Sequence, residues 1–463
     1  MPLKNFVASI APVVMTTAFS LALKTAPALA TTYTVNTLDD SSGNGDCSLR
    51  DAINATNGKP TSGSSCTTAR SSNDTIQFSV IGTITLASTL PQIQDSRLAI
   101  NGPAAPGIRI DGGGAVSVML VADIATANLK NLTIAHGSGI WGGLENEGTL
   151  TITNSTFSDN TGHTGCCGGI DNDGGTLTVI SSTFSHNTAA LREFFGGAAS
   201  YGGGIMNQGL GAVSVANSTF SGNAAGVGGG IMNEGGSTLI VTNCTFSGNT
   251  LLPGAAPGAF IGGGGIFNTG ILSVSSSTFS GNSANFGGGV SNFINDSVPF
   301  KASFKSTILA ASGGGNCYGA PIADAGYNIS DDAACGFAAV GSLNNTDPVL
   351  DPAGLQNNGG PTQTIALSSE SPAIDAIPVS DCTDQNSNPI HTDQRGALRP
   401  DPGEVACDIG AYEFADFAGQ ANCVGKSNSA LAHQYGGLSA AASAYGFPTV
   451  KKLEAAVRRS CQG

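Results

Sequence analysis

The amino-acid sequence predicts an all-β fold, a right-handed parallel β-helix, that ends in a small α-helical tail. Three observations predict it. Two short phrases recur through the middle of the chain, they return at the length of one solenoid coil, and the residues between them alternate with period two. The first phrase is Gly-Gly-apolar-x-Asn. It starts at Gly142-Gly143-Leu144-Glu145-Asn146 and returns with its last residue at Asn172, Asn207, Asn233, Asn268 and Asn292. The second is Phe-Ser-x-Asn, which begins at Phe157, Phe184, Phe220, Phe246 and Phe279. Successive Asn residues of the first phrase lie 26, 35, 26, 35 and 24 residues apart.

The alternation is clear in Thr149-Leu150-Thr151-Ile152-Thr153, where Leu150 and Ile152 point one way and the threonines the other. It recurs at Leu177/Val179, Val213/Val215, Leu239/Val241 and Leu272/Val274. A coil with two or three such short strands cannot bury an apolar face alone. It does so by pairing each strand with its equivalent in the next coil, about 4.8 Å away. Right-handed winding is the usual sense of parallel crossovers. On this reading Phe157, Phe184, Phe220, Phe246 and Phe279 stack as an internal aromatic ladder. Asn146, Asn172, Asn207, Asn233 and Asn268 form an amide ladder at a bend, and the Gly pairs serve corners that need positive φ or close backbone approach. Irregular strands over 76–86, 98–110, 129–134 and 304–309 extend the helix over residues 76–345. Roughly nine coils then make a rod on the order of 40 Å long.

Other segments flank the rod. Residues 1–30 read as a cleaved export leader, with Lys4, an apolar run from Phe6 to Leu23, and small residues at Ala28-Leu29-Ala30. Residues 31–75 read as an N-terminal cap. In it Cys47-Ser48-Leu49-Arg50-Asp51-Ala52-Ile53 starts a short helix whose Leu49, Ala52 and Ile53 share one face. Residues 346–416 form a separate C-terminal block. Residues 417–463 form an Ala-rich tail of three short helices, broken at Gly436-Gly437 and Gly446-Phe447-Pro448, with Lys451, Lys452, Arg458 and Arg459 as its basic patch.

Export places the 11 cysteines in an oxidising space. Proximity pairs Cys47 with Cys66, Cys317 with Cys335, Cys382 with Cys407 and Cys423 with Cys461. Cys244 takes the slot held by Ser155, Ser182, Ser218 and Ser277 in the other repeats and reads as a buried, unpaired small residue. Two readings stand for Cys166 and Cys167. They meet His163 and His186 across two coils as ligands of a soft metal, or they form a vicinal disulfide beside separate surface histidines.

The formal charge of −14 and pI of about 4.6 oppose a nucleic-acid or anionic-lipid partner and suit a neutral glycan or a cation. Glu145 and Glu147 on one coil and Asp171 and Asp173 on the next flank inward Asn residues, so all four are expected to point outward. They form either a candidate Ca²⁺ site or a solvated acidic face. The two 35-residue intervals carry insertions at the same junction, residues 188–202 and 250–263, expected on one side of the rod. Their Phe194, Phe195, Tyr201 and Phe260 are candidate ligand-binding aromatics, or they fold back onto the rod. Asp375, Asp393, Arg395, Arg399, Asp408 and Glu413 bring mixed signs together in the C-terminal block, as ion pairs in a compact cap. No Ser-His-Asp pattern, phosphate-cradling loop or nucleotide fingerprint stands in the sequence.

Three segments carry a family resemblance. The Gly-Gly-Ile and Phe-x-x-Asn phrases look like the repeats of polymorphic outer-membrane proteins, an autotransporter group with adhesive β-helical passengers. Residues 47–53 resemble the CSLREA-type N-terminal segment of secreted bacterial proteins, with Asp51 where Glu is usual. Residues 357–414 resemble the choice-of-anchor Q segment. They contain Asn358-Gly359-Gly360-Pro361-Thr362, Ser371-Pro372-Ala373-Ile374-Asp375-Ala376, Asp393-Gln394-Arg395-Gly396 and Asp408-Ile409-Gly410-Ala411-Tyr412-Glu413. The resemblance implies display on a cell surface or outside the cell. The expected function is a non-catalytic exported protein in contact with a glycan or a cell-envelope component. The alternative is a polysaccharide-active lyase, hydrolase or epimerase using the loop-bearing face.

Overall fold

A computed structural model of the chain describes residues 30–462, apart from 42, 67–70, 72, 105–106, 195–196, 256–261, 294–301, 416–417, 419 and 421, and apart from the side chains of 193–198. The export leader, Phe195 and Phe260 therefore lie outside the described residues, as does the side chain of Phe194.

Four parallel sheets stack along a single coiled chain, each ordered as the sequence is, the five-stranded one only between Ser138–Gly139 and Thr250–Leu251. One turn is illustrated by Leu144–Asn146 in an eight-stranded sheet, Thr149–Thr153 in an 11-stranded sheet, Thr156–Ser158 in a ten-stranded sheet and Thr161–Gly162 in a five-stranded sheet. Each strand pairs in register with its equivalent one coil on. Thus Leu150 pairs with Leu177, Phe157 with Phe184 and Asn146 with Asn172. The architecture is the expected parallel β-helix. It is longer than the nine coils predicted, because Thr32–Val35 already pairs with Asp74–Phe78 and Ala323–Asp324 still pairs with Ala302–Lys305. The end coils lack the repeat phrases and are held by strand pairing together with the Cys47–Cys66 and Cys317–Cys335 disulfides.

The interior is built from ladders. The rings of Phe157, Phe184, Phe220, Phe246 and Phe279 stack at 5.0, 4.7, 4.8 and 4.6 Å, within 6° of parallel. Each Asn of the first phrase donates its amide to the next, from Asn146 through Asn172, Asn207, Asn233 and Asn268 to Asn292, at 2.6–2.9 Å. The second phrase builds another amide ladder, Asn160, Asn187, Asn223, Asn249 and Asn282, at 2.8–2.9 Å. Each buried amide thus serves the bend where strand pairing stops; among the described ladder residues only the Asn146 side-chain oxygen, at the first position of its row, is buried without a partner. The two roles assigned to the Gly pairs separate. In four coils positive φ falls on the glycine before the pair, at Gly202, Gly228, Gly263 and Gly287, whereas in the first it falls on Gly142 of the pair itself. The second glycine of the pair is needed for space: a Cβ on Gly204 would lie 2.6 Å from the carbonyl oxygen of Gly230.

The N-terminal end is closed by helix α1 (Leu49–Thr56), where Ser48 Oγ accepts the Asp51 N–H at 3.1 Å and Leu49, Ala52 and Ile53 are buried. All four expected disulfides form: Cys47–Cys66, Cys317–Cys335, Cys382–Cys407 and Cys423–Cys461. Cys244 is buried and unpaired among the described residues, and its thiol donates to the Thr242 carbonyl at 3.2 Å. The tail forms α2 (Cys423–Tyr435), α3 (Leu438–Ala444) and α4 (Val450–Ser460) around Leu431, Ala441, Leu453 and Val457, with the predicted basic patch exposed. Among the described residues no helix is long and apolar enough to cross a membrane.

The sequence predicts a compact, ion-paired cap for the C-terminal block and does not say where it docks. It lies along the side of the rod, against the ten-stranded sheet. Gln394 bonds to Thr219 and Thr245, Thr392 accepts from the Asn243 amide, Thr362 donates to the Asn217 carbonyl, and Ala411 N–H reaches Thr278. Within the block Asp393–Arg395 and Arg399–Glu413 pair at 2.8 Å, both fully buried, and Arg395 lies 3.6 Å above the Tyr412 ring. Those charges form the block's own core, as the mixed signs implied.

Candidate functional site

The x of Gly-Gly-apolar-x-Asn faces outward, because the apolar residue and the Asn on either side face in. Strand register aligns these positions into one row along the eight-stranded sheet: Glu145, Asp171, Met206, Met232, Phe267 and Ser291. The row starts acidic and becomes apolar. It is nevertheless buried throughout, because the turn before each strand folds back over it. Trp141, Cys166 and Tyr201 pack from those turns, and Phe293 from just past the strand Val290–Asn292, onto Cys167, Met206, Val227, Met232 and Phe267.

At the acidic end, the adjacent Cys166 and Cys167 place their sulfurs 2.6 Å apart. Cys166 Sγ lies 3.1 Å from Asp171 Oδ2 and 4.0 Å from Met206 Sδ. Gln208 donates its amide to both Asp171 oxygens at 3.0 and 3.2 Å. Cys166, Cys167 and Asp171 are the one group of described residues with three ligand atoms all within 4.8 Å of one another. Burial, and then the charges of Asp171, Glu147 and Asp173, push the Glu145 carboxyl up to about 8, against a hydrogen bond from Trp141. Burial raises Asp171 to about 6, opposed by hydrogen bonds from Cys166 and Gln208. Burial likewise lifts the Cys167 thiol well above its ordinary range.

The acidic quartet therefore divides. Glu145 and Asp171 are roofed over, whereas Glu147, just past its strand, and Asp173, the last residue of its strand, are exposed. The donors that converge are sulfur and oxygen, not the all-oxygen set that Ca²⁺ takes. The histidines grouped with the cysteines lie elsewhere: His163 Nε2 is 2.9 Å from Ser138 Oγ, and His186 lies against Gly222. Tyr201 is half-buried against the row. The two insertions leave from a single sheet, where Thr188 and Thr250 flank Ala224 in register, and the first forms an antiparallel hairpin, Arg192–Phe194 with Gly197–Ala199. Sequence reasoning missed Trp141, Met206, Met232 and Phe267. The signal was available in the x position, whose drift from acidic to apolar marks a covered face.

A second feature is an open trough of about 460 Å³ lined by His136, Ser138, Asp159, Thr161 and His163. Beside it Asp111 accepts from Arg109 Nε at 3.0 Å and meets His136 Nδ1 at 2.9 Å. Burial would raise Asp111, but hydrogen bonds from Gly113 N–H, Arg109 and His136 outweigh it and hold the carboxyl below its usual value.

Residues 106–304 match the family model described as the right handed beta helix region, which covers the regular repeats and agrees with the coil seen here. Comparison with curated proteins and with solved structures gave no match. The fold is thus an all-β, right-handed parallel β-helix with a small helical C-terminal tail.

Proposed function

We propose that the chain is an exported, non-catalytic β-helical rod that contacts an extracellular glycan or a cell-envelope component. One observation carries this reading. Glu145 and Asp171, the paired carboxylates on adjacent coils, are only 7% and 3% exposed. Glycoside hydrolysis needs two carboxyl groups open on one face of a groove that admits the sugar chain. Here the turns carrying Trp141 and Cys166–Cys167 occupy that space. The leader-like N-terminus and the four disulfides support an oxidising destination. The acidic charge disfavours nucleic acid.

The trough beside His136 and His163 favours a second reading, a polysaccharide-active enzyme, because it is open and gathers ionisable side chains. One experiment separates the two. The full chain is applied to a glycan array, and each bound glycan is then assayed for new reducing ends and for unsaturated products. Binding without turnover supports the rod. Cleavage that disappears in His136→Ala or His163→Ala overturns it in favour of the enzyme.

A further inference from the structure

The turn over the acidic end of the row has an unusual donor set. It holds two thiols, a carboxylate and a nearby thioether, all from Cys166, Cys167, Asp171 and Met206, with the Glu145 carboxylate one coil away. The charges that bear most on these two carboxyls are Glu147, Asp173 and Glu234, all negative. Buried carboxylates are tolerated only when neutralised or paired with a cation. The backbone also bears on the fate of the thiols. Adjacent Cα atoms are about 3.8 Å apart, short of the roughly 4.4 Å that a disulfide ordinarily spans. The four disulfides elsewhere span 4.9–6.2 Å. A bridging ion removes this conflict, because it holds the sulfurs apart.

We infer that Cys166, Cys167 and Asp171 form a binding site for one thiophilic divalent cation of the zinc class, with Glu145 or the Met206 thioether completing the shell. Thiolate donors select such an ion over Ca²⁺ or Mg²⁺, which take oxygen. Binding forms two sulfur–metal bonds and releases both thiol protons to solvent; nothing is oxidised or reduced. Metal–sulfur bonds of about 2.3 Å in a tetrahedral site require the sulfurs to part from 2.6 Å to roughly 3.8 Å. Cys166 is the more exposed of the two thiols. The ion would pin the turn over the row, a structural role in which Gln208 orients the Asp171 ligand from outside.

The test uses the full-length protein with its four disulfides formed. Alkylation and mass mapping first establish the state of Cys166 and Cys167. Zn²⁺ is then titrated against a chromophoric chelator, and Cd²⁺ against the ultraviolet thiolate–metal band. Expected are two free thiols, one equivalent of ion bound, affinity lowered about tenfold or more in Cys167→Ser and Asp171→Asn, and no change in Cys244→Ser. X-ray absorption of the zinc-loaded native protein reads the shell without any variant, and is expected to show two sulfur neighbours with oxygen. A Cys166–Cys167 disulfide in the native protein, failure to compete with the chelator, or a shell of nitrogen and oxygen alone would each overturn the assignment.

Discussion

Gln394 accepts a 2.6 Å hydrogen bond from the hydroxyl of Thr245, although 149 residues separate them. The same side chain donates to Thr219 at 2.8 Å and to Thr362 at 2.9 Å. One amide thus ties two coils of the rod to the C-terminal block, inside a contact that excludes water: Gln394, Thr219 and Thr245 are all buried. Gln394→Ala should leave the Thr245 hydroxyl unpaired, while Thr219 keeps its bond to the Gln363 carbonyl, and destabilise the docked block by about 1–3 kcal/mol. Urea unfolding followed by limited proteolysis is expected to show cleavage within 346–416 at lower denaturant than in the parent, with the rod unchanged. Loss of the rod at the same midpoint would show that the two parts unfold as one.

Phe220 lies in the middle of the aromatic ladder, 4.7 Å from Phe184 and 4.8 Å from Phe246. Its replacement cannot be absorbed by one neighbour, because both sides are stacked rings. Phe220→Ala should cost about 3–5 kcal/mol, and Phe220→Leu clearly less. The two variants are to be compared by denaturant midpoint. Equal midpoints would mean that ring stacking adds nothing beyond filled volume.

The ladders were legible in the sequence because each member packs against its own equivalent, so periodicity and contact are one signal. Phe157 finds Phe184 and Asn146 finds Asn172 by register alone. The same logic made the helical tail and its disulfide readable, since Cys423 and Cys461 bracket local elements. The placement of the block was not legible. Gln394 and Thr245 occur once each in this contact, and nothing periodic links them. The thiol and carboxylate cluster was half legible: the adjacent cysteines stood out, but their partner depended on how the preceding turn folds. That turn brings in Asp171 from the same coil and excludes His163 and His186.

Acid sensitivity should be readable in the last coils at Asp324, which joins Asp111 of an early coil as a carboxyl held below its usual value. Burial alone would raise the Asp324 carboxyl. Hydrogen bonds from the backbone N–H groups of Ala339 and Gly326, from Asn328 and from Ser342 outweigh it and hold the carboxyl below its usual value. A depressed folded pKa stabilises the fold above the unfolded value of about 3.9, and that contribution is lost as pH falls through the folded pKa. Asp324→Asn should therefore destabilise the chain at neutral pH, with the gap between variant and parent closing below about pH 4. Thermal unfolding at several pH values reads this directly. A gap that persists unchanged into acid would assign the effect to lost packing.

Cys244 tests the ladders from the opposite direction. In the neighbouring coils the equivalent residue is serine, and its hydroxyl does two jobs. Ser218 Oγ donates to the Ala216 carbonyl at 2.7 Å and accepts the Ser182 N–H at 3.1 Å; Ser277 Oγ donates to Ser275 and accepts the Cys244 N–H. Cys244 keeps the donor role through its thiol, at 3.2 Å from the Thr242 carbonyl, but sulfur is the weaker acceptor. Burial drives its thiol up to about 12, so it stays a neutral, unreactive side chain. Cys244→Ser should therefore be neutral or stabilising by up to about 1 kcal/mol, by restoring a full acceptor for the Ser218 N–H. Most buried substitutions destabilise, so a gain here would be specific to the ladder. A loss of more than about 1 kcal/mol would mean that the larger sulfur fills space the coil needs, and that the serine row is not interchangeable along the rod.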